Sequence, residues 1–522
     1  MLNTGVTMRA TWSFAVAFAI VAVNGGAWAT QGPPSAAPFG EEIDVRVINV
    51  EAVVTGAKGA RVHGLSAADF KLTVDGREVP IDYFTEVADG VATAPRGDTA
   101  QGAPGVSPGE RLARNYLVYI DELFSVASVR NTVLKNLAND LTLLQGQDRM
   151  AILAFNGVKT DVLSGWTSDH TVLLAALEQA RRRSAGGNQQ LARQRKLERD
   201  VQWILDNASS LDDGDGGDII AAILEPMTHR ISPEARTQLG KTAPAMAAAL
   251  RGFEAPPGRR MMLLLTGAWS MSVAGNLYSP LLQAAERLGY TLYPVDLAKS
   301  PAEDVTAFDT LARATGGRAA VSTKLAVLQV VEEDTRSYYW IGFSPSGKAD
   351  DRRHRVSLEM RRPDLKVRSR SSFSDLSRSA EASMKAEGIL LFGGAPSDRR
   401  LRVALGDPRR VSRTEIEVPV TLEVPLESLI VKPNGAGYLA ETQLAIAIVD
   451  EKGRRADLPG SHLQVTLPES PAAGTYARFR TVIRLRDVAQ RLVFTVSNPG
   501  NSKTTWGEVE VKRSGEQKAD RR

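Results

Sequence analysis

The alternation of apolar and polar positions changes character twice along the chain and divides it into three stretches. In the first, apolar residues come in short runs. Val45, Val47, Val50 and Val53 mark one strand within Ile43 to Val54. Phe70 to Val74 and Val79 to Val87 flank Asp75-Gly76, a pair that favours a tight type I′ hairpin turn. From Asn115 the pattern becomes strand, then helix, repeated. Asn115 to Ile120 is a buried-strand run that ends in Asp121, and Val129, Val133, Leu134, Leu137, Leu141 and Leu144 then recur at helical spacing. Met150 to Phe155, Asp161 to Ser164, Met261 to Thr266, Tyr290 to Val295 and Tyr338 to Phe343 predict further strands. Pro280 to Leu288, residues 300–315 and Lys324 to Ser337 predict helices between them. The third stretch, Arg400 to Lys512, returns to short strands separated by Pro and Gly turns, a spacing that predicts an antiparallel sandwich.

The pattern predicts an α/β chain: a doubly wound, mostly parallel sheet, flanked by a small β module and a C-terminal antiparallel β-sandwich. The β module covers residues 41–88 and is completed by the hairpin within 352–373, since neither piece alone buries enough apolar surface. The α/β domain covers residues 111–345, with a helical insertion at 181–258. The sandwich covers residues 389–513, and residues 514–522 form a polar, disordered tail. Asp89 to Glu110, rich in Gly, Pro, Ala and Thr, reads as a flexible linker or loop, and Ser374 to Ala386 as a polar connector. Arginines at 193, 195 and 199 read as the solvated face of a helix from Gln189 to Leu205.

Composition adds an address. Lys and Arg number 64 against 60 Asp and Glu, a net charge of +4 that gives no argument for nucleic acid. Arg9, the apolar run Thr11 to Val23 and the small-x-small site Ala27-Trp28-Ala29 predict a signal peptide over residues 1–29. That run is too short to span a bilayer, and nothing later is long enough, so no transmembrane anchor is expected after cleavage. The chain has no cysteine, which excludes disulfides, thiolate metal sites and cysteine nucleophiles. The expectation is a bacterial exported protein, periplasmic or secreted.

Asp121 is the first chemical candidate, because a strand ending in an acid before a helix puts a carboxylate at the carboxyl edge of a parallel sheet, where ligands are held. Enzyme motifs are poor. The five histidines are scattered. Gly342-Phe343-Ser344-Pro345-Ser346 lacks the final Gly of a nucleophile elbow. Asp212, Asp213, Asp215 and Asp218 crowd one loop, but the twelfth position of a calcium loop starting at Asp213 is Leu224 rather than Glu.

Three segments carry a family resemblance: Leu65-Ser66-Ala67-Ala68-Asp69-Phe70 with Val74-Asp75-Gly76, Thr315-Gly316-Gly317-Arg318, and Arg336-Ser337-Tyr338-Tyr339-Trp340-Ile341-Gly342-Phe343-Ser344-Pro345. With them, residues 43–373 resemble the von Willebrand factor A-type domain proteins, in their exported acidobacterial-type branch. The resemblance implies a metal-ion-dependent adhesion site built on Asp-x-Ser-x-Ser, a Gly-Gly-Thr turn and an Asp after an apolar strand. Asp121 and Ser125 match, whereas Leu123 and Gly267 stand where ligands belong, and Gly216-Gly217-Asp218 takes the place of the Gly-Gly-Thr turn. The expectation is therefore a degenerate site with Asp121, Ser125 and Asp218 as its metal ligands, and no resident cofactor. The expected function is non-catalytic binding, as in adhesion, to another protein or a cell-surface polymer. The alternative is an exported hydrolase using Asp121 or the acids at 212–218.

Overall fold

Arg114–Asp121 is buried at every position, and a five-stranded sheet is built around it. The order across that sheet is Tyr290–Asp296, Arg259–Thr266, Arg114–Asp121, Arg149–Phe155, Thr160–Thr167. The first four strands pair in parallel and the last is antiparallel. Tyr116, Val118 and Ile120 share a core with Val129, Val133 and Leu137 of the helix Ala127–Asn139 and with Leu173 and Leu177 of His170–Arg182. Val327, Leu328 and Val331 of Val327–Arg336 complete that side. Leu117 and Tyr119, on the other face, are buried as well. A strand covered on both faces is apolar on both, which is why its middle, Tyr116 to Ile120, does not alternate.

The computed structural model describes residues 18–20, 46–94, 100–189, 192, 196, 199, 233–267, 275–298, 302–319, 326–347, 349–393, 398–429, 431–434, 437–472, 474–497 and 504–513. The chain divides into two units, Ile43–Leu376 on one hand, and Ser377–Arg522 with Met1–Glu42 on the other. Among the described residues no helix is long and apolar enough to cross a membrane.

The doubly wound, mostly parallel architecture predicted for the chain is overturned. Among the described residues, parallel pairing between strands is confined to the one mixed sheet, with a single parallel bridge outside it between Tyr83 and Gln101, and the other four sheets pair antiparallel throughout. The reason lies in strands such as Tyr338–Phe343. Its apolar run reads as one more buried parallel strand, but it pairs antiparallel with Ile48–Thr55 on one side and Tyr83–Ala88 on the other. Tyr339, Ile341 and Phe343 enter a core with Val50, Ala52, Phe70 and Phe84. The rings of Phe70, Phe84 and Tyr339 lie 5.5–5.6 Å apart by centroid, a spacing at which aromatic pairs add about 0.5–1.5 kcal/mol beyond area burial.

Around this strand the first unit joins segments distant in sequence. Arg353–Met360 pairs with Phe70–Val74, and Lys366–Arg368 with Ile48–Thr55. Asp75 and Gly76 have φ of 49° and 82°, the left-handed pair that a type I′ turn requires. Of the two readings, linker or loop, residues 100–110 take the second. Phe84 N donates to Gln101 O at 2.7 Å and Gln101 N to Asp82 O at 2.9 Å, so this segment satisfies backbone groups of a strand that would otherwise be unpaired.

In the second unit, Glu415–Pro425 and Tyr476–Arg486 lie in one antiparallel sheet, and Gly437–Asp450, Arg455–Leu467, Gln490–Ser497 and Thr504–Val511 in another. Ile416, Val418, Leu422, Phe479 and Ile483 of the first share a core with Leu444, Ile446, Leu492 and Phe494 of the second. The expected polar connector is instead the helix Arg378–Phe392, capped by Ser377, whose side chain accepts from Ala380 N at 3.2 Å. Its packing residues are Ala382, Ala386 and Leu390, set against Ala445, Ala447 and Val493. A face of alanines carries too weak an apolar signal to stand out in sequence.

Candidate functional site

The carboxyl edge of the mixed sheet is built from strand ends that stand in register. Leu265 lies beside Ile120, and Thr266 beside Asp296, so Asp121, Thr266 and Asp296 finish neighbouring strands at one level. All three are buried. The Asp121 carboxylate is fully engaged with its own surroundings. Oδ1 accepts from Leu123 N at 3.0 Å and Phe124 N at 3.4 Å, and Oδ2 accepts from the Thr266 hydroxyl at 2.6 Å. Burial pushes its pKa up to about 7, against the opposing pull of those three hydrogen bonds. The Ser125 hydroxyl donates to the backbone carbonyl of Asp121 itself. Asp296 Oδ1 accepts from Ala298 N at 3.0 Å, so this acid too closes its own turn.

A second layer holds the loop from outside. Glu122 is buried and pairs with Arg183 through Oε1, with a further contact at 3.3 Å, and Arg183 reaches Asp161 at 2.7 Å. The Arg183 guanidinium is held above its ordinary pKa first of all by the hydrogen bond to Glu122. Arg130, only 1% exposed, donates to the backbone carbonyls of Ser184 at 2.9 Å, Arg183 at 2.8 Å and Arg181 at 3.1 Å. A buried cation with these three contacts to backbone carbonyls, and one at 3.2 Å to the Asn131 side chain, fixes the backbone at the end of the helix His170–Arg182.

That backbone leads into the turn that lies against the 121–125 loop. Gly186 N donates to Glu122 O at 2.8 Å, and Gly187 N to Ser125 O at 2.9 Å. A Cβ on Gly186 would come within 2.8 Å of Leu123 O, and one on Gly187 within 2.5 Å of the Ser125 carbonyl. Only glycine permits this approach. Sequence reasoning gave this place to Gly216-Gly217-Asp218, which lies outside the described residues. The turn seated here is Gly186-Gly187-Asn188. The signal for it was present, a Gly-Gly pair directly after an amphipathic helix, as was the signal for Asp296, an acid ending an apolar strand.

Of the residues expected to hold a divalent cation, the structure brings Asp121 and Ser125 together, while Asp218 and the other acids at 212–218 lie outside the described residues. The described side chains do not by themselves fit the ion. Asp121 has three donors aimed at its two oxygens, Ser125 is turned to a carbonyl, Leu123 supplies no ligand atom, and Gly267 no side chain. Mg²⁺ demands near-octahedral oxygen coordination. Among the described residues, no three His, Asp or Glu side chains gather in a group that could hold a metal.

Charge also gathers at the opposite end of the same strands. Arg114 pairs with Asp148 at 2.7 Å and Glu332 at 3.3 Å. Arg259 lies 2.7 Å from Glu51 and 4.2 Å from the Tyr338 ring centroid. Asp334 accepts from Tyr293 at 2.9 Å and pairs with Arg61 at 3.0 Å and with Arg368. Burial alone would raise the Asp334 pKa, but Arg368 and Arg259 hold it below 3.8. These pairs join the mixed sheet to the antiparallel sheets of its own unit, and each acid is matched by a cation.

No family model matches the chain, and no curated protein does. Among solved structures, the TFIIH p34 N-terminal domain is similar at 13% identity, covering 42% of this chain and 95% of that one, with a TM-score of 0.21. The PilB minor pilin from Streptococcus sanguinis is similar at 8% identity, covering 57% and 88%, with a TM-score of 0.25. Three N-terminal domains of the type V pili tip protein Mfa5 from Porphyromonas gingivalis give 9% identity, 90% and 77% coverage, and a TM-score of 0.22. TM-scores this low carry no argument about fold or function.

Proposed function

We propose that the protein is an exported, non-catalytic binding protein, related to the von Willebrand factor A-type proteins, in which the metal rim has become a structural lock. The observation that carries this reading is the Asp121 carboxylate, 0% exposed and occupied by Leu123 N, Phe124 N and the Thr266 hydroxyl. The rim keeps its acid and its serine but spends both on the loop that holds them. The chain then offers a partner protein its surfaces rather than a metal.

One observation favours the hydrolase alternative: a carboxyl with a pKa of about 7 has the proton affinity of a general base. Its burial weighs more, because a base must come within hydrogen-bond reach of substrate or one water. A panel of ester, peptide, glycoside and phosphoester substrates, with wild type and Asp121→Asn, tests the choice. Turnover by wild type that Asp121→Asn abolishes would overturn the binding reading. Intact mass of protein from the producing cell tests export, with a mature terminus at Thr30 expected.

A further inference from the structure

The strand Tyr476–Arg486 alternates strictly. Ala477, Phe479, Ile483 and Leu485 are buried, while Arg478, Arg480, Val482, Arg484 and Arg486 take the outward positions. On one side it pairs along its whole length with Glu415–Pro425. That neighbour sets Glu423 opposite Arg478, Glu417 opposite Arg484 and Glu415 opposite Arg486. The first two pairs close at 2.7 Å and 3.1 Å, and Arg486 reaches Asp450 at 3.2 Å. Arg480 stands opposite Thr421 and is exposed, with no ion pair among the described residues.

On its other side the strand is covered for three residues, where Phe18–Ile20 pairs with Phe479–Thr481. No other strand of the described residues lies on that side. An edge with cations at alternate positions repels most strands. It accepts one whose outward residues are acids, and Glu415–Pro425 is the example within the molecule.

We infer that the open edge of Tyr476–Arg486 is a docking strand for an extended acidic segment of a partner protein, with an Asp or Glu set against Arg480, the outward cation that the acids of the described residues leave unpaired. A peptide is the fitting occupant rather than an anionic polysaccharide, because the edge presents backbone N–H and C=O groups that only another backbone pairs in register. The inference deepens the binding function proposed above and rests on it at one point. Phe18–Ile20 belongs to the expected signal peptide, whose removal opens the edge from Tyr476 to Arg486.

The test is a fluorescence-anisotropy titration of mature protein from the producing cell, its terminus fixed by intact mass. The probes are a peptide alternating Glu and Val, the same peptide with Lys for Glu, and the acidic peptide N-methylated on its pairing edge. The acidic peptide is expected to bind and the other two are not. Arg480→Glu with Arg484→Glu is expected to weaken binding about tenfold or more, the factor that 1.4 kcal/mol represents, and Arg480→Gln to weaken it less. Both arginines are outward, and a circular-dichroism spectrum checks that the variants fold. Equal binding of the N-methylated peptide would overturn strand addition, as would no binding of the acidic peptide to protein shown by mass to lack Met1 to Ala29. Protein that keeps those residues contradicts export instead, and the same titration then still reads the uncovered half, Val482 to Arg486.

Discussion

Thr266 gives its hydroxyl hydrogen to Oδ2 of Asp121 at 2.6 Å, so the ends of two neighbouring parallel strands are tied by side chains just where their ladder stops. Hydrogen bonds to a charged acceptor contribute about 1.5–3 kcal/mol, and a buried acceptor left short of a donor costs a similar amount. Thr266→Val keeps the shape and removes the donor. It is expected to lower stability by about 2 kcal/mol in urea unfolding and to raise the Asp121 pKa further. A variant as stable as wild type would show that this bond holds nothing.

The acid itself gives a pH dependence with a definite sign. Its folded pKa, about 7, lies above the ordinary 3.8 because of burial, so the folded state binds the proton more tightly than the unfolded chain. The stability contributed by this group is fully present below pH 3.8 and is lost as pH rises through 7. Asp121→Asn keeps an acceptor toward Leu123 N and Phe124 N. Between pH 4 and 7, the wild-type unfolding free energy should fall relative to that of the variant, with a slope of up to about 1.4 kcal/mol per pH unit. Parallel curves over that range would refute the shift.

The loop's fit to its neighbouring turn is tested by two glycines. At Gly187 a Cβ would lie within 2.5 Å of Ser125 backbone atoms, whereas at Gly165 it meets nothing within 4 Å. Backbone on both sides leaves the 121–125 loop no cheap way to yield. Gly187→Ala is expected to cost about 2 kcal/mol or more, within the range of overpacking, and Gly165→Ala close to nothing. Thermal melts of the two variants give the comparison, and equal melting temperatures would contradict the packing described.

How much of this was legible in sequence follows from what each signal reports. The buried run Asn115 to Ile120 with its terminal acid announced both a strand and a carboxyl edge, because burial on two faces forces a continuous apolar run. The same signal misled at Tyr338–Phe343, since periodicity reports burial and not the direction of the neighbours. The helix Arg378–Phe392 was hidden by its alanines, and the segment 100–110 by being held through backbone atoms that every residue has. At the rim, Asp121 and Ser125 were found by motif. Two Gly-Gly pairs carry the signal of such a turn, and which of them faces the rim is a question of chain path that local pattern does not rank.

His354 has its two ring nitrogens in contact with two carboxylates, Nδ1 with Asp75 at 2.8 Å and Nε2 with Asp350 at 3.1 Å, and stacks on Phe373 at 5.1 Å. A neutral imidazole has one N–H, so only the imidazolium satisfies both acids. The contact to Asp75 foremost raises the histidine pKa above 6.5, and both acids are held below 3.8, Asp75 by His354 and Asp350 by the backbone of Arg352. The histidine's contribution to stability is thus full below pH 6.5 and lost as pH rises through the raised value. The contribution of the acids is full above pH 3.8 and lost as pH falls. Titration of the His354 ring protons by NMR should give a pKa above 6.5, lowered in both Asp75→Asn and Asp350→Asn. An unshifted value in wild type would break the clamp.

The last expectation concerns metal, and the donors at the rim decide it. A divalent cation bound at Asp121 must displace the Thr266 hydroxyl hydrogen or the amide hydrogens of Leu123 and Phe124, all of which point at the carboxylate. It must also turn the Ser125 hydroxyl away from the Asp121 carbonyl. In return, Leu123 and Gly267 offer no side-chain oxygen, so water would fill most of the shell, in a place where Asp121 has no exposure. Mg²⁺, which gives up its own water reluctantly, gains little from that exchange. A ligand at a hundred times its dissociation constant stabilises the native state by about 2.7 kcal/mol. The melting temperature of the wild type is therefore expected to be the same in millimolar Mg²⁺, Mn²⁺ or Ca²⁺ as in chelator. A metal-induced rise that vanishes in Asp121→Ala would mean that the rim opens to the ion and that the lock described here is only its resting state.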